Sequence, residues 1–507
     1  MTARPLREVA LHALAVAAGA VALALAFPGT DFAGAAWVAL APLIVQTLTR
    51  RPRAALGLGW LGGFLFFLFL LRWLNFTFRV YSAIPWPLVW LPTALLAAYC
   101  GLYVGLFAGA LSWIAARRSG LAAIAAAPFI WVMLEWVRGW LMGGFPWGSL
   151  GYSQHGQLAV IQIAELGGVY AVSFVLIAVN AALAAAAVLG PRRAVTPLGV
   201  AALLVAATLG FGHARLRGFA PPTATATIAI IQPSIAQPLK WDPDFAASTL
   251  ANYFDLTRRA GQSRPDLIVW PETATPTVLR EDLVLQGALR QLSQETGARL
   301  LVGSIDADRT SPPKYRNSAF LLDERGIVNR YDKIQLVPFG EYVPLSGVIG
   351  FVRGWAEFIA DLEPGSRSVV FPGPPSPFGT VICYEGIFPA LVRRFVRDGA
   401  RFMVNMTNDG WFGQTAGPLQ HLGMYPLRAV EHRVAVVRAA NTGVSAVIAP
   451  SGAISPSLPL YARGAIVERV PLHSGGETLY TRFGDWLAYL SVAVAVLTFG
   501  AVAGRRA

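Results

Sequence analysis

Seven apolar stretches follow one another along the first 213 residues, near 8–27, 32–48, 54–75, 86–115, 120–138, 158–190 and 195–213. An eighth lies at 484–503. A hydrocarbon core about 30 Å thick is crossed by a helix of about 20 apolar residues. Within it the backbone must satisfy its own hydrogen bonds, so each stretch is expected to be a helix. Charged residues make up 14% of the chain and hydrophobic ones 55%, against roughly 25% charged in soluble proteins. A soluble fold of this length has no means of hiding that much apolar surface. The net charge of +13 would suit a nucleic-acid binder, but its distribution points to membrane topology instead. Arginines stand at Arg4 and Arg7, at Arg50, Arg51 and Arg53, at Arg117 and Arg118, at Arg192 and Arg193, and at Arg505 and Arg506. With eight spans, all of these fall on one side, which the positive-inside rule makes the cytoplasm. Both termini are then cytoplasmic, and the 143–154 loop and the whole of 214–483 lie on the opposite face. The N-terminal run has the basic start of a cleaved signal peptide. Its length, and the apolar segments that follow at once, favour a retained first helix.

The 214–483 region has ordinary composition and reads as a separate α/β domain. Strand-like runs occur at 227–231, 267–270, 300–302, 318–322, 379–383, 402–406, 435–439 and 445–449. Helical patterns lie between them, for example at 282–296 and 389–398. Alternating strands and helices predict a layered α/β sandwich. The organisation expected is a seven-helix membrane domain at 1–213, the α/β domain at 214–483, and a last membrane helix with a short tail at 484–507.

Three residues in the α/β domain have the setting of chemical groups. Cys383 ends an apolar strand in GTVICYEGIFP, before a helix-like segment. A thiol at such a turn lies near backbone N–H groups that favour thiolate and can hold an oxyanion; the alternative is a buried structural cysteine. The other cysteine, Cys100, lies in an apolar run, so no disulfide is expected. Glu272 follows another apolar strand in LIVWPETATP. A carboxylate there is partly desolvated, the condition that suits a general base; the alternative is a helix cap or surface acid. Lys333, in YDKIQLVPFGEYVP, sits among apolar and aromatic residues with Glu341 eight positions on. Its ammonium is placed to steady an oxyanion; the alternative is a solvated lysine. The six histidines form no HxxxH-type cluster and no Walker-type glycine loop is present, so no metal or other cofactor is expected.

The contexts PETATP, DKIQLVPFGEYVP and ICYEGIFP resemble those of the Glu–Lys–Cys triad of the nitrilase superfamily. Together with the membrane spans, GFPWGSLGYSQ at 144–154, QPSIAQPLKWDP at 232–243 and NMTNDGWFG at 405–413, they resemble the apolipoprotein N-acyltransferases of Gram-negative bacteria over essentially the whole chain. The resemblance implies an αββα nitrilase-like sandwich fused to eight transmembrane helices. It places the enzyme in the inner membrane with its catalytic domain periplasmic. It implies Glu272 as base, Lys333 as oxyanion stabiliser and Cys383 as nucleophile, with no departure from the triad motifs. The donor would be a phospholipid such as phosphatidylethanolamine. The acceptor would be the α-amine of the S-diacylglyceryl cysteine of an apolipoprotein, acylated through a Cys383 thioester. Trp241, Glu341, Tyr384 and Glu385 match positions associated with function in this family. Glu341 and Glu385 would hold Lys333 charged or orient the triad, unless they are ordinary surface acids. Trp241 would pack against acyl chains or gate the pocket, unless it is a core aromatic. Nothing in the chain demands an oligomer, so a monomer is expected, and nucleic acid is not expected as a partner.

In the membrane part, Glu135 and Arg138 lie three apart in WVMLEWVRGW. Charges in a span are costly and usually paired or functional, so a mutual salt bridge or a headgroup site is expected. Trp147 in the following loop is expected at headgroup level as an interface anchor. Trp355 and Phe358 in GWAEFIA are expected to dip toward the bilayer or to pack in the core. Two rival readings remain at this point. One is a membrane-tethered amidase for small soluble amides, which would need only one anchor. The other is a transporter or scaffold with a dead domain, for which Cys383→Ala would be harmless.

Overall fold

The structure, a computed structural model, describes residues 6–219, 222–308, 310–344, 361–474 and 476–504. The loop carrying Trp355 and Phe358 lies outside the described residues. The chain divides into two compact units. One comprises 1–75, 87–219 and 482–507; the other comprises 76–86 and 220–481.

The first unit is helical. Six helices among the described residues are long and apolar enough to cross a membrane: Pro52–Leu70, Trp90–Arg117, Gly120–Arg138, Val169–Val188, Pro191–Arg217 and Trp486–Ala503. The segments at 8–27 and 32–48 coincide with Leu6–Leu25 and with a 3₁₀ turn, Ala33–Trp37, followed by Ala41–Thr49. The count of eight spans therefore rests on hydropathy alone. The apolar run at 158–190 is not one helix. It divides into Leu158–Ile161, Ala164–Gly167 and Val169–Val188. Gly168 at φ 68° breaks it, a conformation glycine adopts at no steric cost. Small residues let two helices approach closely. A Cβ on Gly63 would meet Val104 at 2.7 Å and Gly101 Cα at 2.9 Å.

Glu135 and Arg138 do not pair as expected; among the described residues no ion pair joins them. Arg138 instead donates to Phe145 O at 2.5 Å, to Trp147 O at 2.6 Å and to Ser149 Oγ at 3.3 Å. Glu135 Oε1 accepts from Leu150 N at 2.7 Å. The two charges thus hold the backbone of the 145–150 loop from one helix. Trp147 is 3% exposed, its ring 5.1 Å from that of Trp73. That is a correction to the interface-anchor reading, because a side chain enclosed by protein has no face to offer to headgroups.

Among the described residues, the second unit holds two six-stranded sheets. The strands are β1 (Thr225–Gln232), β2 (Leu267–Val269), β3 (Arg299–Ala307), β4 (Tyr315–Asp323), β5 (Gly326–Asp332), β6 (Val370–Phe371), β7 (Phe378–Ile382), β8 (Met403–Thr407), β9 (Val436–Ala440), β10 (Ser445–Ile448), β11 (Ile454–Leu458) and β12 (Gly464–Pro471). One sheet runs β12-β1-β2-β3-β4-β5 and the other β11-β10-β9-β8-β7-β6. In each, three central strands are parallel (β1, β2, β3 and β7, β8, β9) and the flanking pairs are antiparallel. The two sheets therefore repeat one topology.

Strand side chains alternate between faces. Ala229, Ile231, Ile268, Trp270, Leu300, Val302, Phe320 and Leu322 pack with Tyr253, Leu256, Leu285, Leu289 and Leu292 of the helices Ala246–Gly261 and Leu283–Thr296. The alternate residues, Ile228, Ile230, Val269 and Leu301, are equally buried and belong to the face toward the second sheet, where β1 meets β9 and β10. Helices Pro389–Arg397 and Tyr425–His432 cover that sheet at β7 and at β9 and β10. The layers are αββα. Trp270 anchors the first core by stacking on Tyr253 at 4.5 Å and donating to Thr257 Oγ1 at 2.9 Å.

Candidate active site

Three strand ends bring Glu272, Lys333 and Cys383 together, each from a different part of the sandwich. β2 stops where Trp270 turns inward, and Pro271 and Glu272 follow. Gly303 of β3 admits this turn, since a Cβ there would run into Pro271 O and the Glu272 backbone. Lys333 directly follows β5, tied to β4 by its N–H to Asn317 O at 2.8 Å. Cys383 directly follows β7 at φ 53°, left-handed backbone that costs a non-glycine residue about 1–3 kcal/mol.

The polar contacts are dense. Lys333 Nζ lies 3.3 Å from Glu272 Oε1 and 2.8 Å from Glu341 Oε2. Asn317 Nδ2 bridges the two carboxylates, donating to Glu272 Oε1 at 2.7 Å and to Glu341 Oε1 at 3.0 Å. Glu272 Oε2 accepts from Asn408 N at 2.9 Å, and Glu341 Oε2 from Val337 N at 2.8 Å. Burial by itself would make the Lys333 ammonium easier to lose. Glu341 and Glu272 outweigh it and hold the group above its ordinary value, so Lys333 stays charged. Burial pushes the Cys383 thiol well above its ordinary value and the Glu272 charge adds to that, while Lys333 pulls it down. The resting sulfur is therefore a protonated thiol in electrostatic contact with both groups, which a base must deprotonate.

Of the other expected residues, Glu341 contacts Lys333 directly. Glu385 works on the backbone. Its Oε1 accepts from Tyr331 OH at 2.7 Å, Ile334 N at 2.6 Å and Gln335 N at 3.1 Å, and its Oε2 from Ile382 N at 2.7 Å. It thus ties the segment after Lys333 to the residue before Cys383. Tyr384 is buried with its ring 5.1 Å from Phe388. Trp241 is 48% exposed, so it is not a core aromatic. Trp147 belongs to the helical unit and is not among the residues gathered here.

Burial raises Glu385 to about 7, against the pull of Ile382 N, Tyr331, Lys333 and Gln335 N. That lies above the unfolded carboxyl value of about 4.3. The group's contribution to stability is then full below the unfolded value and is lost as pH rises through about 7. Glu385→Gln, whose amide N–H must meet at least one of these four donors whichever way it is flipped, is expected to lower the apparent melting temperature by several degrees. The gap to wild type is expected to be wider near about pH 5 than near about pH 8. Melting curves in detergent check this, and a gap independent of pH removes the burial argument.

The sequence reading missed a second ring of residues. The Cys383 carbonyl accepts from Asn405 Nδ2 at 3.3 Å and Tyr425 OH at 3.3 Å, and His421 Nε2 stands 3.2 Å from it. Burial and Arg438 lower the His421 value, so the ring is neutral and has one N–H to give. Its Nδ1 lies 3.0 Å from Asp409 Oδ1 and 3.2 Å from Arg438 Nη2. Burial would raise Asp409, but Arg438 and His421 hold it down at about 2. Arg438 reaches its Oδ2 at 2.6 Å and Asn405 Oδ1 at 2.6 Å. This buried network holds the Cys383 backbone in its strained turn. Asn405 and Asp409 stand in the NMTNDGWFG motif, the one signal that pointed toward them. Chemically, a protonated thiol beside a carboxylate and a permanent ammonium is equipped for acyl transfer through a covalent intermediate.

Residues 19–182 match the apolipoprotein N-acyltransferase N-terminal domain, and residues 227–480 the carbon-nitrogen hydrolase family. An apolipoprotein N-acyltransferase of Geobacter metallireducens is 37% identical over 506 residues, covering 98% of this chain and 95% of that one. One of Agrobacterium fabrum is 35% identical over 532 residues, covering 97% and 96%. The crystal structure of an amidase from Nesterenkonia sp. aligns with a TM-score of 0.39 at 22% identity, covering 54% of this chain and 99% of that one. A membrane-helix unit and a nitrilase-like sandwich in one chain, with relatives matching over nearly its whole length, place this protein in the apolipoprotein N-acyltransferase family.

Proposed function

We propose that the enzyme moves a fatty acyl group from a phospholipid, such as phosphatidylethanolamine, to the N-terminal amine of an S-diacylglyceryl apolipoprotein, through a thioester on Cys383. The observation that carries this reading is a buried thiol in electrostatic contact with the Glu272 carboxylate and the Lys333 ammonium. In the first half, Glu272 takes the thiol proton and the sulfur attacks the ester carbonyl. Lys333 steadies the oxyanion. The C–O bond breaks, Glu272 returns the proton to the departing lysophospholipid oxygen, and the thioester remains. In the second half Glu272 takes a proton from the attacking amine, the C–S bond breaks, and the thiol is restored with an amide as product. A thioester yields to an amine more readily than an oxygen ester does, so two easier steps replace one hard one. The arginine distribution supports a cytoplasmic side for both termini and a periplasmic side for the sandwich of an inner-membrane enzyme.

Intact-mass analysis of the full-length protein mixed with phosphatidylethanolamine vesicles tests the route. The expected result is a fatty-acyl adduct on Cys383 that hydroxylamine releases and that a diacylglyceryl peptide discharges. Cys383→Ser is expected to form no hydroxylamine-labile adduct and to lose transfer by more than about 10³-fold. Transfer that proceeds in full while no adduct ever accumulates or can be trapped rules out the covalent route.

A further inference from the structure

Lys240 is placed against the ordinary rule for its residue type. In the turn Gln237–Trp241, Leu239 and Trp241 are 38% and 48% exposed, while Lys240 between them is 4% exposed. Apolar side chains face outward and the cation faces inward, the reverse of what burial preferences favour. A buried ammonium is costly unless its hydrogens and its charge are met. Its hydrogens go to neutral acceptors, Glu272 O at 2.9 Å and Thr273 Oγ1 at 2.5 Å. Among the described residues no carboxylate oxygen lies within ion-pair distance of it. The ionisable groups it faces are Glu272, from the turn after β2, and Cys383, from the turn after β7.

The same turn holds the far end of Glu272 as well. Gln237 Oε1 accepts from Asn408 Nδ2 at 2.6 Å, and Asn408 N donates to the Glu272 carboxylate. Lys240 also braces Thr273, whose φ of 45° is strained for a β-branched residue. We infer that Lys240 is a further positioning residue of this reaction, clamping the Glu272–Thr273 turn and holding a second positive charge beside the Cys383 thiolate. The inference rests on the thioester reading above. Burial lowers Lys240 to about 8, with Glu272 and Cys383 pulling the other way, so the charge is present at neutral pH and fades above it.

Alkylation of Cys383 by iodoacetamide reads the thiolate directly and needs no phospholipid. It is followed on the full-length protein by peptide mass mapping from neutral to alkaline pH, for wild type, Lys240→Met, Lys240→Gln and Lys240→Arg. A nearby opposite charge is worth one or more pKa units to a thiol, so Lys240→Met and Lys240→Gln are expected to react about tenfold more slowly at neutral pH, with the profile displaced to higher pH. Lys240→Arg keeps a charge and is expected to stay within about threefold of wild type. Acyl-adduct formation from phosphatidylethanolamine is expected to fall in the same order. If Lys240→Met does not fold, the Gln and Arg variants decide the matter. Wild-type rates and midpoints in the uncharged variants, or an Arg variant as slow as the Gln variant, overturn the inference. A wild type that alkylates as described yet forms no acyl adduct overturns the phospholipid reading instead and leaves the electrostatic role of Lys240 standing.

Discussion

Lys333→Met is expected to slow acyl transfer by about 10²–10³-fold and to lower stability by about 3–5 kcal/mol. Both effects come from one geometry. The ammonium is 1% exposed and lies between Glu272 and Glu341 at 3.3 and 2.8 Å. Removing it leaves two carboxylates facing one another, with only the Asn317 amide donating to both. Breaking a buried pair from one side exposes the remaining charge to the full desolvation cost. To stay folded, the variant must place a proton between the two carboxyls. Its deficit is therefore expected to shrink at acid pH, where that proton is cheap, and to grow as pH rises. The lost oxyanion partner accounts for the activity, since one such donor is worth about 10²–10³-fold. Melting curves at two pH values and adduct formation on the same preparation check both parts. A Lys333→Met protein with wild-type melting and a wild-type rate of acyl-adduct formation would falsify this assignment.

Glu272→Gln is expected to be at least as damaging to activity, by about 10³-fold, and far less so to the fold. Loss of a general base costs about 10²–10⁴-fold. Both carboxylate oxygens only accept: Oε1 from Asn317 Nδ2 and Lys333 Nζ, Oε2 from Asn408 N. A glutamine amide must turn its N–H toward a donor whichever way it is flipped, leaving one buried group unsatisfied at about 1–3 kcal/mol. Lys333 keeps Glu341 as its partner, which is why the stability loss is smaller. The rate of acyl-adduct formation in Glu272→Gln is expected to climb with pH, as hydroxide replaces the missing base. Single-turnover adduct formation across pH gives the comparison, and a wild-type rate at neutral pH in this variant removes Glu272 from the proton-transfer role.

The strands legible in the residue pattern and those that were not differ by position in the sheets. The eight apolar runs expected as strands became β1, β2, β3, β4, β7, β8, β9 and β10, all interior. The four that went unseen, β5, β6, β11 and β12, are the four sheet edges. An edge strand has one neighbour and one wetter side, so it need not be apolar. β11 is exposed or half-buried along its whole length, and Gly464–Pro471 in β12 mixes Glu468 and Arg469 with valines. Glu272, Lys333 and Cys383 stood out as candidates because each stands just past or close to the end of a strand beside a proline or glycine turn. Lys240, Asn317 and His421 were not, since nothing local tells a buried polar residue from a solvated one. Trp147 misled for the same reason: an aromatic in a glycine- and proline-rich loop reads as an interface residue until Trp73 and the Arg138 clamp enclose it.

What the residue order by itself determined is the division of this protein into apolar helices and an α/β sandwich, together with the choice of Glu272, Lys333 and Cys383 as candidates for its chemistry. Hydropathy and strand periodicity are local properties, written in neighbouring positions. What only the tertiary structure decided is which charges share a site. Glu272 and Lys333 are 61 positions apart in the chain and 3.3 Å apart in space. Coulombic coupling of that strength depends on distance and burial, and neither quantity exists until the sheets have packed.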